Sequence, residues 1–375
     1  MNRRNRILRI VTVVLGLLIV ASLVLSMVGC SSDDGGGGSV SELEVDRADR
    51  GEVLAAIADD VIVPAFTELG AATDELATTT AALCTSPDEA TLAAARAAWD
   101  EAQGAWRRTE AFRFGPAKTL RSNARIAYPI DAEKLDELLA TAGELPDPIT
   151  PEAVAELGAD VRGLAAIEQL LFTPADAATL DPRACAYLRA AAVDVRDGAE
   201  ELRAAWAEGV DGAAPFAEQL ADPGGDSMYA DEQEAVDDLV NGSIAALTTI
   251  TEMELGADPA TVDVGPARRA GADVADMLAS VQSVYGTSTG DPDTDDPQVG
   301  LSVLVAEQSL STDRRVLADL ADAAVAVAAL PDPLAAGELL SDAYDQVSDV
   351  RVAMRTEVAS LLGVTVGFSD SDGDG

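Results

Sequence analysis

Histidine is absent from all 375 residues of this chain. Without an imidazole there is no Ser-His-acid triad, no Cys-His pair, no His-rich zinc site and no two-His-one-carboxylate iron site. Any metal must then be held by carboxylates, carbonyls and water, which favours calcium, magnesium or ferric ion. Aromatic residues are scarce too, at 4%, and β-branched alternation is nearly missing, so no strand pattern emerges. No Gly-rich phosphate loop sits between a strand and a helix. Basic residues number 25 against 66 acids, a net charge of −41. That balance excludes nucleic acid as a partner and sets the protein against anionic lipid. Cations and cationic peptides are its electrostatic complements.

The basic residues are unevenly placed. Arg3, Arg4, Arg6 and Arg9 head an uncharged apolar run from Ile10 to Val28, followed by Gly29-Cys30 and then Gly35 to Gly38. A positive head, an apolar middle and a small residue before cysteine describe an export signal of the bacterial lipoprotein type over residues 1–29. Cys30 is then the lipidated first residue, the protein's link to a membrane, and residues 30–50 are a disordered linker. An uncleaved membrane anchor is the other reading, and both send the rest of the chain outward. Removing residues 1–29 takes away four arginines and no acid, moving the net charge from −41 to −45. Cys84 and Cys185 remain, and in an oxidising compartment they read as one disulfide.

Helix signals fill the remainder. A first helix from about Glu52 to Leu83 carries Pro64 inside an apolar run, which predicts a kink. Ser86-Pro87-Asp88-Glu89 reads as a capping box, and Thr150-Pro151-Glu152 and Thr173-Pro174-Ala175-Asp176 repeat the start signal. Leu92, Ala95, Trp99, Ala102 and Trp106 recur at three–four spacing, the seam of an antiparallel bundle. Helices are also expected near 229–254, 266–285, 299–329 and 333–362, with a soft join from Glu208 to Asp226 and an acidic loop from Gly286 to Gly300. The expected fold is all-α, two packed helical-bundle domains over residues 51–210 and 227–366, then an acidic tail over 367–375. In that tail Asp370, Asp372 and Asp374 match the first half of a calcium loop, but the closing bidentate acid is missing.

One carboxylate stands where leucine is expected. Val154, Leu157, Val161, Leu164, Glu168 and Leu171 follow one another at steps of three and four, so all six share one face of a helix and Glu168 is carried inward. Burying an ionised carboxylate costs several kcal/mol, of order 3 or more, unless it is paired or metal-bound. Candidate partners are Arg113, Arg121 and Arg125, from an Arg-rich loop over 113–131, and Arg351, from the apolar seam of the last helix.

Several words carry a family resemblance: Trp99 through Trp106, Glu110 to Pro116, Tyr128-Pro129-Ile130-Asp131, Arg162 to Phe172, Val240-Asn241-Gly242, and Leu362 to Asp370. Together they resemble the imelysin family of bacterial exported proteins. The resemblance implies two helical bundles, classification among the M75 peptidases and a link to iron uptake. The family's Gly-x-His-x-x-Glu signature falls on Gly163, Ala165 and Glu168, with alanine where the signature has histidine. An alanine methyl cannot bind a metal, so the resemblance implies a site at Gly163, Ala165, Glu168 and Asp131 without its imidazole ligand. Gly163 itself reads as a point of close contact between helices.

The resulting expectation is an exported lipoprotein of the cell envelope. It would bind a cation or small ligand without catalysis, with Glu168 the one metal-ligand candidate, and serve iron or other metal uptake beside partner proteins. A metallopeptidase with a degenerate site and a partner-binding surface lipoprotein are the alternatives. If Cys30 carries the lipid, Cys30→Ser abolishes incorporation of labelled palmitate and moves the protein from the membrane to the soluble fraction. Labelling that survives the substitution removes the lipoprotein assignment.

Overall fold

The structure is a computed structural model that describes residues 50–367 except 142, 175, 178–179, 211, 257–269, 287–298, 332–333 and 336. The signal, Cys30, the linker to residue 49, most of the acidic loop and the tail from 368 lie outside the described residues.

Every regular element among the described residues is helical. The chain opens with α1 (Arg50–Ala56), a π-helical turn (Ile57–Ile62) and α2 (Val63–Thr85). The widened turn ends one residue before Val63-Pro64, where proline lacks the N–H that would close the normal ladder. Where the sequence predicts a kink, the helix carries a π turn just ahead of Pro64. Helix α3 (Glu89–Arg107) begins one turn-signal later than the Ser86 box suggests. Its cap is Asp88, whose carboxylate accepts from the Thr91 N–H at 2.8 Å while the Thr91 hydroxyl accepts from the Asp88 N–H at 3.1 Å.

Short elements follow: a 3₁₀ turn (Glu110–Phe112), α4 (Pro116–Thr119), α5 (Ser122–Ile126), α6 (Ala132–Ala140) and α7 (Pro151–Ala155). The Arg-rich stretch expected as loop is thus partly helical. Thr150 caps α7 as its sequence indicates. After a 3₁₀ turn (Ala159–Val161) comes α8 (Gly163–Phe172). The single helix expected over 154–171 is consequently broken in two places. Arg162 is extended and Gly163 takes φ +80°, a conformation open to glycine at little cost. Leu164, Glu168 and Leu171 still share a face of α8, but Val154 and Val161 reach the core from other elements.

Helix α8 ends at Thr173, so the start signal expected there is a stop. The next long helix, α9 (Pro182–Ala207), is capped by Asp181 with proline at its first position. It packs along α2, and α2, α3, α8 and α9 make the first bundle. Trp99 Nε1 donates to the Leu164 carbonyl at 2.7 Å, and Arg96 donates to the Leu171 and Pro174 carbonyls at 2.8 and 2.9 Å. Trp99 thereby ties α3 to the first turn of α8, and Arg96 supplies donors to carbonyls at and beyond its C-terminus, where the helix itself leaves them open.

The stretch expected as a soft join holds α10 (Phe216–Ala221), which docks on α1 and the first π turn. The second bundle comprises α11 (Glu232–Thr248), a π turn (Thr249–Leu255), α12 (Ala270–Tyr285), α13 (Leu301–Ala328, broken at Ser309) and α14 (Glu338–Ala353). A third π turn (Met354–Val358) and α15 (Ala359–Leu362) complete it. Helix α12 also packs on α3, and α1 on α11 and α13. The described residues consequently cluster as one unit. Aromatic rings concentrate at this junction. Trp206 lies 5.5 Å from Phe66, 5.7 Å from Phe114 and 4.8 Å from Phe216, with Phe112 and Tyr229 extending the chain of contacts. Six of the fourteen aromatic residues therefore sit where a small aromatic complement has the most surface to bury.

The expected disulfide is present between Cys84 at the end of α2 and Cys185 at the start of α9, 101 residues apart. Closing so long a loop stabilises by about 4 kcal/mol in the chain-entropy account. Replacing both cysteines with serine should lower the stability read from urea denaturation by about that amount. An unchanged urea midpoint would refute this contribution.

Candidate functional site

The α3 C-terminus brings two arginines toward the second bundle. Arg107, half-buried, lies among three carboxylates: Asp273 of α12 at 3.4 Å, Glu254 of the second π turn at 3.7 Å and Glu110 at 3.9 Å. Asp273 also accepts from Gln103 Nε2 at 2.9 Å. Burial works against the Arg107 charge, but the three acids outweigh it and raise its pKa. Glu254 is the reciprocal case. Burial raises its pKa, Arg107 pulls it down, and Asp273 and Glu110 push it up again.

Glu110 is shared with Arg113, whose Nη1 lies 2.8 Å away. The Arg113 guanidinium lies 3.7 Å from the Trp106 ring centroid, donates through Nε to Thr109 Oγ1 at 3.1 Å, and reaches the Trp106 carbonyl through Nη2. Burial, assisted by Arg107 and opposed by Glu110, brings the Arg113 pKa down to about 10. It remains a cation at neutral pH, held rigidly.

Arg113 lines a cleft of two adjoining lobes, of about 460 and 500 Å³, which share Phe114, Lys118 and Asp238. The polar lobe is walled by Glu110, Arg113, Asn123, Asn241, Thr249 and Gly367. The second has Phe114, Phe216, Tyr229 and Met228 along it, with Glu234 and Asp237 at its edge. Burial raises the Asp238 carboxyl; the Tyr229 hydroxyl, donating at 2.8 Å, and Lys118 draw it down, and Asp237 and Glu234 push it up. Gly242 lets α11 approach the 110–112 turn, because a Cβ there would lie 2.2 Å from the Ala111 carbonyl oxygen. Asn241 fastens the C-terminal segment to the same helix. Its Nδ2 donates to the Thr365 carbonyl at 3.1 Å, and its Oδ1 accepts from the Gly367 N–H at 3.0 Å.

The candidates read from sequence are distributed around this cleft rather than gathered in it. Arg113 is on its wall. Arg125 lies behind, on α5 beside the cleft residue Asn123, donating to Asp194 at 3.0 Å and Glu201 at 2.8 Å. Asp194 is buried, and Arg162 approaches its other oxygen at 3.6 Å. Gly163 rests on the same helix: a Cβ there would lie 2.7 Å from the Ile126 carbonyl oxygen. The close contact expected at Gly163 is this one. Ala165 and Glu168 are half-buried on α8, one turn apart, and Glu168 is not a free carboxylate. Asp131 caps α6, accepting from the Lys134 N–H at 3.0 Å. Arg121 is exposed and holds a left-handed backbone, φ +53°, at the start of α5. Arg351 pairs with Glu252 of the second π turn at 2.7 Å. Among the described residues, no three acidic or cysteine side chains converge as a metal site would require.

Sequence reasoning did not single out Glu110, Lys118, Asp238 or Asn241. Glu110 and Asn241 lie inside the words that carried the family resemblance, so a signal existed. Lys118 and Asp238 read as ordinary surface charges, and only the fold brings them together.

The profile of the imelysin family (peptidase M75) matches residues 62–358. Iron-regulated protein A of Synechococcus elongatus is 26% identical over 294 residues, 76% of each chain. Among solved structures, one from Parabacteroides distasonis ATCC 8503 described as an iron-regulated protein A precursor superposes with a TM-score of 0.71 at 19% identity, covering 86% of this chain and 97% of that one. An imelysin-like protein from Psychrobacter arcticum 273-4 gives 0.68 at 20% identity, covering 85% and 97%.

The raised Glu254 carboxyl makes the ionic cluster pH-sensitive. A carboxyl whose pKa is higher folded than unfolded takes up its proton first in the folded state. It therefore opposes folding above its folded pKa, and that cost is relieved as pH falls toward the ordinary carboxylate range near 4. Glu254→Gln should lessen the gain in urea midpoint between pH 7 and pH 5 relative to wild type. Equal pH slopes for the two proteins would contradict this.

Proposed function

Because the chain belongs to the imelysin family, we propose that it is an exported lipoprotein that binds a small ligand without catalysis, in the service of iron or other metal uptake. The supporting observation is the cleft itself. In a chain with 66 acids, two of the 25 basic residues, Arg113 and Lys118, line one hollow between the bundles. Its volume suits a molecule larger than a bare ion. Arg113 and Glu110 offset one another on its wall, and Asp238 accepts from Tyr229 near Lys118, so neither sign of charge is in excess in the polar lobe and a chelated metal suits it better than a bare ion. The name of the cyanobacterial relative, iron-regulated protein A, supports the link to iron. Ala165 in place of the signature histidine, in a chain with no histidine at all, supports a role without peptidase chemistry. Cys30, following an export signal, supports a lipid anchor on the outer side of a membrane, where metal-uptake proteins would be the partners.

Calorimetric titration with ferric citrate, and with ferric, calcium and magnesium ions alone, tests the reading. Ferric citrate should give saturable heat, and Arg113→Gln, checked for an unchanged helical spectrum, should weaken it by about tenfold or more. No heat from the complex or from any of the ions would overturn the proposal.

A further inference from the structure

The two lobes differ in their balance of charge. The polar lobe sets Arg113 and Lys118 against Glu110 and Asp238, two of each sign. The second sets Lys118 alone against Glu234, Asp237 and Asp238. Each of those three acids accepts from a neutral donor: Glu234 from the Ala230 N–H at 2.7 Å, Asp237 from Gln233 Nε2 at 2.7 Å, and Asp238 from the Tyr229 hydroxyl at 2.8 Å. Arg50 stops at Gln233, donating to its Oε1 at 2.7 Å, and Lys118 draws only on Asp238. None of the three forms an ion pair within 4 Å among the described residues. An ionised carboxylate offers about four acceptor sites, so most of theirs stay open. The remaining wall is apolar, with the packed rings of Phe114, Phe216 and Tyr229 behind Met228, which is 72% exposed. A methionine so placed is an adaptable contact for a flexible chain.

We infer that the chelate taken by the cleft carries a cationic alkyl arm, its metal centre in the polar lobe and its ammonium or guanidinium group in the second lobe, beside Glu234 and Asp237. The inference rests on the reading of the cleft as a site for chelated metal and adds the class of chelator. Charge sets the direction in which the ligand lies. Lys118 stands where the lobes meet and repels a cation there, whereas Glu234 and Asp237 belong to the second lobe alone. Glu234 reaches back to the Ala230 N–H, two residues beyond Met228, so an acid closes the apolar wall at its exposed end. An arm of several methylenes therefore passes the apolar wall, shedding water, before its charge meets the acids. Asp237 and Glu234 also push the Asp238 carboxyl up, and an added cation relieves that crowding of like charges.

The test is calorimetric titration of the purified mature protein with two ferric trishydroxamates, in about 0.15 M salt to screen the protein's general negative field. Ferrioxamine B ends in a pentylammonium arm, and N-acetylferrioxamine B has the same ferric centre with an uncharged arm. Ferrioxamine B should bind about fivefold or more tightly than its acetylated form. Glu234→Gln combined with Asp237→Asn keeps both acceptors and should bring the two affinities together by weakening ferrioxamine B alone. Asp74→Asn combined with Glu75→Gln removes as much charge from exposed positions of α2 outside the cleft, and should keep the preference. Equal affinities in the wild type, a preference that survives the cleft substitutions, or one lost equally with those on α2 overturns the inference. If ferric citrate binds and the trishydroxamates show no preference, this inference falls and the proposed function stands; if none of the three binds, both fall.

Discussion

Arg107 is the charge around which the two bundles close. It comes from the first bundle, and two of the acids that surround it, Glu254 and Asp273, come from the second. None of these groups would be buried comfortably by itself. A guanidinium without acids, or acids without a guanidinium, would leave an uncompensated charge in a poorly solvated joint, at about 3–5 kcal/mol. The cluster adds less to stability than its number of ion pairs suggests, because desolvation offsets most of the attraction. What it supplies is a requirement: the bundles fit only where these charges meet. The aromatic cluster around Trp206 is the apolar counterpart, adding area where the ionic cluster adds register.

The cleft inherits its geometry from that joint. Glu110 lies between Arg107 and Arg113, so the charge at the joint and the one on the cleft wall share an acid. Trp106 fixes Arg113 from the other side. Helix α11 completes the opposite wall, and it comes so near because Gly242 has no side chain to collide with Ala111. Polar groups inside the cleft are thus held by contacts made outside it, the arrangement expected of a preformed binding site.

The all-helical fold was legible in sequence because apolar residues at three–four spacing, proline at first turns and capping residues all agree. Agreement was weakest where two signals compete. At Ser86 two boxes compete, Ser86 with Glu89 and Asp88 with Thr91, and the structure uses the second. At Gly163 the apolar spacing runs straight through, but backbone sterics interrupt it. Periodicity reports which residues are buried, not whether one helix carries them all. Glu168 was legible as a position of interest on α8, and Gly163 as a contact point. The cleft was not, because Lys118 and Asp238 acquire meaning only when α4 and α11 face one another, and no local pattern encodes that.

The attachment of the C-terminal segment by Asn241 has a bearing on how the protein is made. The cleft draws its wall from residues as far apart as Glu110 and Gly367, so a nascent chain has the whole signature region long before it has a complete pocket. A fragment ended by a protease between Leu362 and Thr365 would keep the long helices and the disulfide, and with them a native-looking helical spectrum. It would still lack Gly367 from the cavity wall and both of the segment's hydrogen bonds to Asn241. Secondary structure and oxidation state are therefore poor gauges of whether a preparation has the whole cleft, and an intact mass is the better one.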